Sequence, residues 1–339
     1  MIILGIETSC DETSLALYSI KYGLISYITH SQFLKHSKYG GIVPEIASRE
    51  HTKKILSLFK KLLFQSNIHQ SQIDIIACTG GPGLSGSLLI GALFGNSLAF
   101  LLKKPVTYIN HLEGHILVPF LTSKLIIFPF LSLLISGGHT QLILVKNIGE
   151  YKILGETLDD AVGEILDKLA RSMNISYPGG AIISKFAKLG ISNVYNFPRP
   201  MIYSKNFNFS FSGLKTSVLR TIKNIKNIKI QDKYNISKSI LEAIIDVLKY
   251  KVIKAIKKTN VKIFSITGGV SANKQIKKSF KKEIKKKTFY KLYYPKKEFC
   301  TDNGVMIAFA CAIRIKNNIC YTSNKYLINI DPKWSINNL

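Results

Sequence analysis

The sequence predicts a two-lobed α/β chain built on mixed sheets, and three observations carry that reading. Its 339 residues are enough for two lobes that each bury a core. A pattern of apolar strand, polar tip and second strand occurs twice, as IILGIE-TSCDET-SLALYSI (2–20) and FLSLLI-SGGHT-QLILV (130–145), which suggests a duplicated core. Each copy is followed by long stretches of helical periodicity, a combination that gives α/β layers rather than an all-β or all-α chain.

Taken in order, the periodicity predicts helices over 42–65, 88–102, 158–173, 237–258 and 303–315. A third apolar strand, VKIFSIT (261–267), ends in GGVSAN (268–273) and opens a Lys-rich helix. Glycine turns at 80–83, 136–138 and 268–269 each follow an apolar strand directly. A lone Gly-Gly would be a tight turn and nothing more. Three in this position, where backbone N–H groups at a helix start can approach a phosphate or ribose, point to a nucleotide-lined cleft. The stretches YPGG (177–180) and 206–213 read as turn-rich loops lining the same cleft.

Composition excludes several classes. A hydrophobic fraction of 46% with 20% charged residues excludes a disordered chain. The five cysteines (Cys10, Cys78, Cys300, Cys311, Cys320) are odd in number and scattered, so neither a disulfide framework nor a Cys-based zinc site is expected, and a reducing cytoplasm fits. Glu7, Asp11 and Glu12 break up the N-terminal apolar run, so no signal peptide is expected. Residues 116–135 are apolar and long enough to span a bilayer, but Pro119, Lys124 and Pro129 interrupt them; a buried strand after an irregular loop is expected, and no membrane. The net charge of +27 has two readings. Only five of the 47 basic residues are Arg, whereas a surface selected for phosphate would favour the Arg fork, so Lys excess from AT-rich codons is one. An anionic partner such as nucleic acid is the other. Between Lys249 and Lys297 seventeen Lys are interleaved with Phe280, Phe289, Tyr290, Tyr293 and Tyr294, which reads either as an RNA-facing surface or as solvated helix faces.

The sharpest spacing is His111 and His115 in NHLEGH, an i,i+4 pair on one helix face that suits two imidazoles on a single metal. Spacing alone leaves a structural His pair as the alternative. It is not the H-E-x-x-H pattern, because Leu112 follows the first His and Glu113 lies toward another face. No further Cys/His cluster exists, so a third ligand should be a carboxylate, and Asp302 in FCTDNG is the candidate. Its other reading is a helix N-cap. Asp11 and Glu12 at the first hairpin tip either form a solvated turn or position a proton or cation. Asp160, Glu164 and Asp167 share a helix face beside Lys168, as a solvated face or as acids accepting ribose hydroxyls. His139 in SGGHT reads equally as a core histidine or a substrate donor.

The ordered motifs ILGIETSCDETS (3–14), GGIVPEIASREH (40–51), GPGLSGSLLIG (81–91), NHLEGH (110–115), SGGHTQL (136–142), TLDDAVGEILDKLAR (157–171), YPGG (177–180), FSFSGLKT (209–216), GGVSANKQ (268–275) and CTDNGVMIA (300–308) span nearly the whole chain. In that order they resemble the tRNA threonylcarbamoyltransferases, the universal family formerly labelled O-sialoglycoprotein endopeptidases, and specifically its bacterial catalytic members. The resemblance implies the actin/Hsp70/sugar-kinase (ASKHA) fold, with an N-terminal lobe over 1–128 carrying the His pair. A C-terminal lobe over 129–339 would carry the nucleotide loops, with its last helices packing back on the first lobe. It implies transfer of the threonylcarbamoyl group from threonylcarbamoyl-AMP to N6 of adenosine 37 in tRNAs that read ANN codons, with release of AMP. By motif position, His111, His115 and Asp302 would bind one divalent metal, iron ahead of zinc. For that reaction the acids at the first hairpin tip, Asp11 or Glu12, are the candidates to steer or accept the amine proton. Leu134, Ile135, Ser136, Gly137, Gly138, Asp167, Gly180 and Asn273 would bind the adenylate. The implied partners are tRNA, an inactive paralogue of the same fold and a small P-loop ATPase. A metal-dependent endopeptidase, an ATPase or kinase of the same fold and a noncatalytic scaffold are the competing readings.

Overall fold

The computed structural model describes residues 1–123, 126–285, 291–320 and 326–339. The chain forms two compact units: Met1–Leu125 with Asn147–Tyr151 and Thr301–Leu339, and Ile126–Lys146 with Lys152–Cys300.

In the first unit the central strand is β1 (Ile2–Glu7), antiparallel to β2 (Glu12–Ser19) and parallel to β4 (Ile75–Gly81). The outer strands are β3 (Gly23–Ser31), antiparallel to β2, and β5 (Val106–Asn110), parallel to β4. Residues 3–7 of β1 are all buried, as a continuous apolar run covered on both faces requires. A single turn, α1 (Phe33–His36), leads to α2 (Pro44–Ser66), which has Pro at its start and Asn67 in the left-handed conformation at its end. With α3 (Ser85–Leu102) it encloses a core of Leu4, Ile6, Leu17, Ile55, Phe59, Leu62, Ile76 and Val106. By length and composition α3 is apolar enough to cross a membrane; here Leu88, Ala92, Leu98 and Ala99 are buried and the helix packs on α2 and β4. The short α4 (His111–Leu117) follows β5 directly.

The second unit repeats the topology. Its central strand β6 (Phe130–Ile135) is antiparallel to β7 (Thr140–Asn147) and parallel to β9 (Ile263–Thr267), with β8 (Glu150–Glu156) and β10 (Lys291–Tyr293) outside. The orders β3-β2-β1-β4-β5 and β8-β7-β6-β9-β10 are the same arrangement, so the repeated hairpin in the sequence is a repeated sheet in the fold. The apolar segment over 116–135 resolves into the end of α4, a 3-10 turn at Val118–Phe120 and the buried strand β6.

The helices of this unit are α5 (Val162–Ser172), α6 (Gly179–Phe186), α7 (Ser212–Asn224), α8 (Ile230–Thr259) and α9 (Lys274–Lys285). Two stretches expected as loops turn out to be helix starts: Gly179 and Gly180 open α6, and Ser212 opens α7. Their N-termini are held from far along the chain. Asp167 accepts from Gly180 N at 3.0 Å, and Asp159 accepts from Phe211 N at 2.8 Å and Ser212 N at 3.3 Å. A cap supplied at that separation leaves no local signal. In the Lys-rich region Phe280 is core, packed on Phe264 at 5.6 Å, rather than part of a surface. Lys286, Lys287, Phe289 and Tyr290 lie outside the described residues.

The last helix, α10 (Gly304–Lys316), belongs to the first unit and is buried from Gly304 to Ala312. It lies so close to the sheet that a Cβ on Gly304 would meet Leu15 C at 2.8 Å and Ala16 N at 2.9 Å, and one on Gly5 would meet Ala308 N at 2.7 Å. These neighbours are backbone and cannot step aside. Gly304→Ala should therefore destabilise the chain by about 1–3 kcal/mol, although Ala is the better helix former by about 1 kcal/mol. Urea unfolding checks the sign, and a stabilised variant would contradict the packing account.

Candidate functional site

The site in the first unit is assembled by β5 handing over to α4. Asn110, the last residue of β5, caps the helix by accepting from Leu112 N at 2.9 Å and Glu113 N at 3.4 Å. His111 thus becomes the first helical residue and His115 lies one turn on, the rings meeting edge to face with centroids 4.7 Å apart. The third group arrives from the other end of the chain. Asp302 Oδ1 lies 2.9 Å from His115 Nε2 and 3.6 Å from His111 Nε2. The N-cap reading of Asp302 is resolved by its neighbour: Asn303 caps α10, accepting from Met306 N at 2.9 Å. His111, His115 and Asp302 offer one ligand atom each, all within 4.8 Å of one another.

These residues fit a divalent cation on their own chemistry. Two imidazole nitrogens and one carboxylate oxygen suit iron or zinc and leave coordination positions open. His111 Nδ1 is 3.1 Å from Glu7 Oε2 and 3.1 Å from Ser9 Oγ, so its other nitrogen is the one turned to the centre. For His111, burial alone would lower the pKa, but the carboxylates of Glu7 and Asp302 outweigh it and raise it to about 9. Burial opposes the charge on Glu7 as well; the imidazolium and its hydrogen bond prevail, holding the carboxyl below its ordinary value.

Asp11 and Glu12 stand at the tip of the β1–β2 hairpin, both half-buried. Burial first, then the charges of Asp11 and Asp302, push Glu12 well above the ordinary carboxylate range. Sequence reasoning missed Glu7 and Ser9, which meet His111 Nδ1, and Thr79, which donates to Glu7. The available signal was a charged residue closing an otherwise apolar strand.

Glu113 points away from the centre, as its position in the motif predicted. Fully buried, it accepts from Arg314 Nε and from the Tyr151 hydroxyl, each at 2.7 Å. Burial outweighs these partners and pushes its carboxyl up, whereas Arg314 is held charged against its own burial by Glu113.

The remaining sequence candidates lie in the second unit. Leu134 and Ile135 are fully buried in β6, so only their backbone can meet a ligand. Ser136–Gly138 form a tight turn closed by Ser136 N donating to His139 O at 2.8 Å, with Gly137 and Gly138 exposed and open to space. The turn sits on the start of α5, where Gly163 N donates to Ser136 O at 3.1 Å. Gly268, with φ +86°, lies against Ile135, where a Cβ would come 2.5 Å from the carbonyl oxygen. Asp167 and Gly180 meet through their hydrogen bond, and burial raises the Asp167 carboxyl despite it. Asn273 caps α9 through Gln275 N at 2.9 Å. Asp160 lies before α5 and pairs with Lys168 and Lys215 at 2.7 and 2.6 Å, so it is neither on the helix face that periodicity predicted nor simply solvated.

Paired five-stranded units of one topology, one with a His-His-Asp centre and the other with glycine turns at strand ends, define a protein of the actin-like ATPase-fold class. Solved structures of that architecture agree. HypF of T. kodakarensis has a TM-score of 0.63 at 13% identity, covering 96% of this chain and 49% of that one. Component A of the Acidaminococcus fermentans (R)-2-hydroxyglutaryl-CoA dehydratase has a TM-score of 0.54 at 14% identity, covering 94% and 99%. The family model described as TsaD, tRNA N6-adenosine threonylcarbamoyltransferase, matches residues 23–309, and the chain belongs to that family. Curated relatives carrying the same description include proteins of Herminiimonas arsenicoxydans, 49% identical, and Buchnera aphidicola subsp. Schizaphis graminum, 47% identical. Both alignments cover 100% of this chain and 99% of the relative.

The Glu113–Arg314 pair fixes the face of α4 opposite the His pair, and breaking it from one side should be expensive. Arg314→Met should cost about 3–5 kcal/mol in urea unfolding, since it strands a buried carboxylate. Adding Glu113→Gln should recover part of that loss. A double variant no more stable than Arg314→Met alone would remove the charge-pair account.

Proposed function

We propose that the chain transfers the threonylcarbamoyl group of threonylcarbamoyl-AMP to N6 of adenosine 37 in tRNAs that read ANN codons. The observation that carries the reading is the convergence of His111, His115 and Asp302 in a chain similar over its whole length to proteins of that description. The three residues would hold one divalent cation, Fe2+ in preference to Zn2+. When bound, such a cation supplies Lewis-acid polarisation and a template for the acyl group.

The other steps belong to side chains and backbone. The adenine N6 attacks the carbamoyl carbon, the N–C bond forms, the C–O bond to the phosphate breaks, and AMP leaves. Asp11 or Glu12 takes the proton that N6 sheds. In the Ser136–Gly138 turn the backbone N–H groups of Gly137 and Gly138, with Leu134 and Ile135 behind them, hold the adenylate, and Asp167, Gly180 and Asn273 complete its pocket. An endopeptidase would need a carboxylate base beside the cation, and Glu113 is instead committed to Arg314 and Tyr151.

The protein partners are an inactive paralogue of the same fold and a small P-loop ATPase, acting with the chain in the cytoplasm. The exposed apolar residues Leu89, Leu93 and Phe100 on α3 support the first of these, since such a stripe is a natural packing surface for another helical layer.

Incubating the chain with threonylcarbamoyl-AMP, unmodified tRNA and its partners should yield the modified nucleoside by mass spectrometry. His111→Ala with His115→Ala should reduce the yield to that of tRNA alone while circular dichroism stays native. Full transfer by that variant would remove the metal role. Glycoprotein cleavage without nucleoside modification would overturn the transferase reading.

A further inference from the structure

Glu7 is the last residue of the central strand β1, and its side chain has no exposed surface. A carboxylate in that position must spend its lone pairs on protein donors. It does so on three sides. Oε1 accepts from Ser9 N at 2.5 Å, and Oε2 accepts from the Thr79 hydroxyl at 2.6 Å and faces His111 Nδ1 at 3.1 Å. Thr79 is presented by β4, which runs parallel to β1 in a register that pairs Ile6 with Cys78. Ser9 Oγ is a second neighbour of the same ring nitrogen, at 3.1 Å. The opposite nitrogen, Nε2, faces Asp302 Oδ1 at 3.6 Å.

We propose that Glu7 is a positioning residue that fixes the tautomer and rotation of His111, so that the Nε2 lone pair is presented to the cation site. This rests on the metal reading above and adds a residue to it. A neutral imidazole carries one N–H. An ionised carboxylate can only accept, so the proton belongs on Nδ1 and the lone pair on Nε2. Ser9 N holds the other carboxylate oxygen in place, and a ring flip would set His111 carbon atoms against an oxygen that needs a donor. A carboxylate behind a metal-binding histidine also makes the ring a stronger base toward the metal.

The substitution Glu7→Gln tests this with little change of shape. If the amide oxygen stays with Ser9 N, the amide NH2 faces the Nδ1–H of His111. If it flips, NH2 faces Ser9 N–H instead. The first case drives the His111 proton to Nε2, into the cation site; the second breaks the hairpin contact. Titrating the apo chain with Co2+ alone, Glu7→Gln should bind about 10–100-fold more weakly than the parent and shift the visible d–d bands of the bound cobalt. Thr79→Val is the control for a purely structural role: it removes a hydrogen bond from the same carboxylate without touching His111, and should keep the parent spectrum and an affinity within a few-fold.

A folded Glu7→Gln with parental affinity and spectrum would overturn the assignment. So would a Thr79→Val that loses as much affinity for the same loss of melting temperature. Should Glu7→Gln fail to fold, the parent chain still decides: with 15N-histidine labelling and Zn2+ bound, long-range 1H–15N correlation should show His111 protonated on Nδ1, and protonation on Nε2 would refute the proposal. A parent chain that takes up neither Co2+ nor Zn2+ would instead remove the metal reading and this assignment with it. Uptake by the parent but not by the His111→Ala, His115→Ala variant keeps the two questions apart.

Discussion

Gly5 and Gly304 let the backbone of α10 lie against β1 and β2 at a separation that side chains would forbid, and the cluster of His111, His115 and Asp302 depends on that approach. Asp302 stands immediately before α10 and lies 187 residues beyond His115 in the chain. Its carboxylate reaches the two imidazoles because the start of the helix is pinned. Gly304 N donates to Ser14 Oγ at 2.9 Å, and Asn303 takes over the capping duty that would otherwise compete for Asp302. A donor triad gathered from distant segments is only as well placed as the backbone contacts that carry it.

The same economy appears in α4. The helix is short, and every residue from His111 to Leu117 is buried. An isolated helix of that length would not persist in water. Here Asn110 caps it, and Glu113 is anchored to Arg314 and Tyr151 on the side opposite the His pair. Burying a carboxylate and a guanidinium contributes little net stability, because desolvation offsets most of the attraction. What the pair does contribute is orientation, since only one rotation of α4 satisfies both Glu113 and the two histidines.

How much of this was legible in the sequence follows from where each signal is encoded. His111 and His115 were legible because helical periodicity is local, and the repeated hairpin was legible because its pattern of apolar strands is local too. Asp302 was named by elimination, and its competing N-cap role could not be separated until Asn303 was seen to fill it. Glu7 was invisible as a functional group: a single carboxylate at the end of an apolar strand reads as the edge of a turn. Its donors Thr79 and His111 come together only when β1, β4 and α4 are side by side. The starts of α6 and α7 were read as loops because Asp167 and Asp159, which hold them, are tertiary caps.

The electrostatics then separate into two length scales. The chain carries a net charge of +27, yet the centre gathers Glu7, Asp11, Glu12 and Asp302 around two histidines. At physiological ionic strength the field of exposed charges decays over about 8 Å, so the Lys-rich surface acts on a polyanion in solution and hardly on the buried site. Within the site, burial and carboxylates at contact distance act with little screening, which is why Glu12 is pushed well above the ordinary carboxylate range in a strongly basic protein. An acidic interior under a basic exterior suits an enzyme that must draw in a nucleic acid and still retain a cation. The surface excess of Lys over Arg adds no geometric specificity to that attraction, because an ammonium is a point charge. Selectivity for the reacting adenosine therefore has to come from groups fixed by backbone contacts.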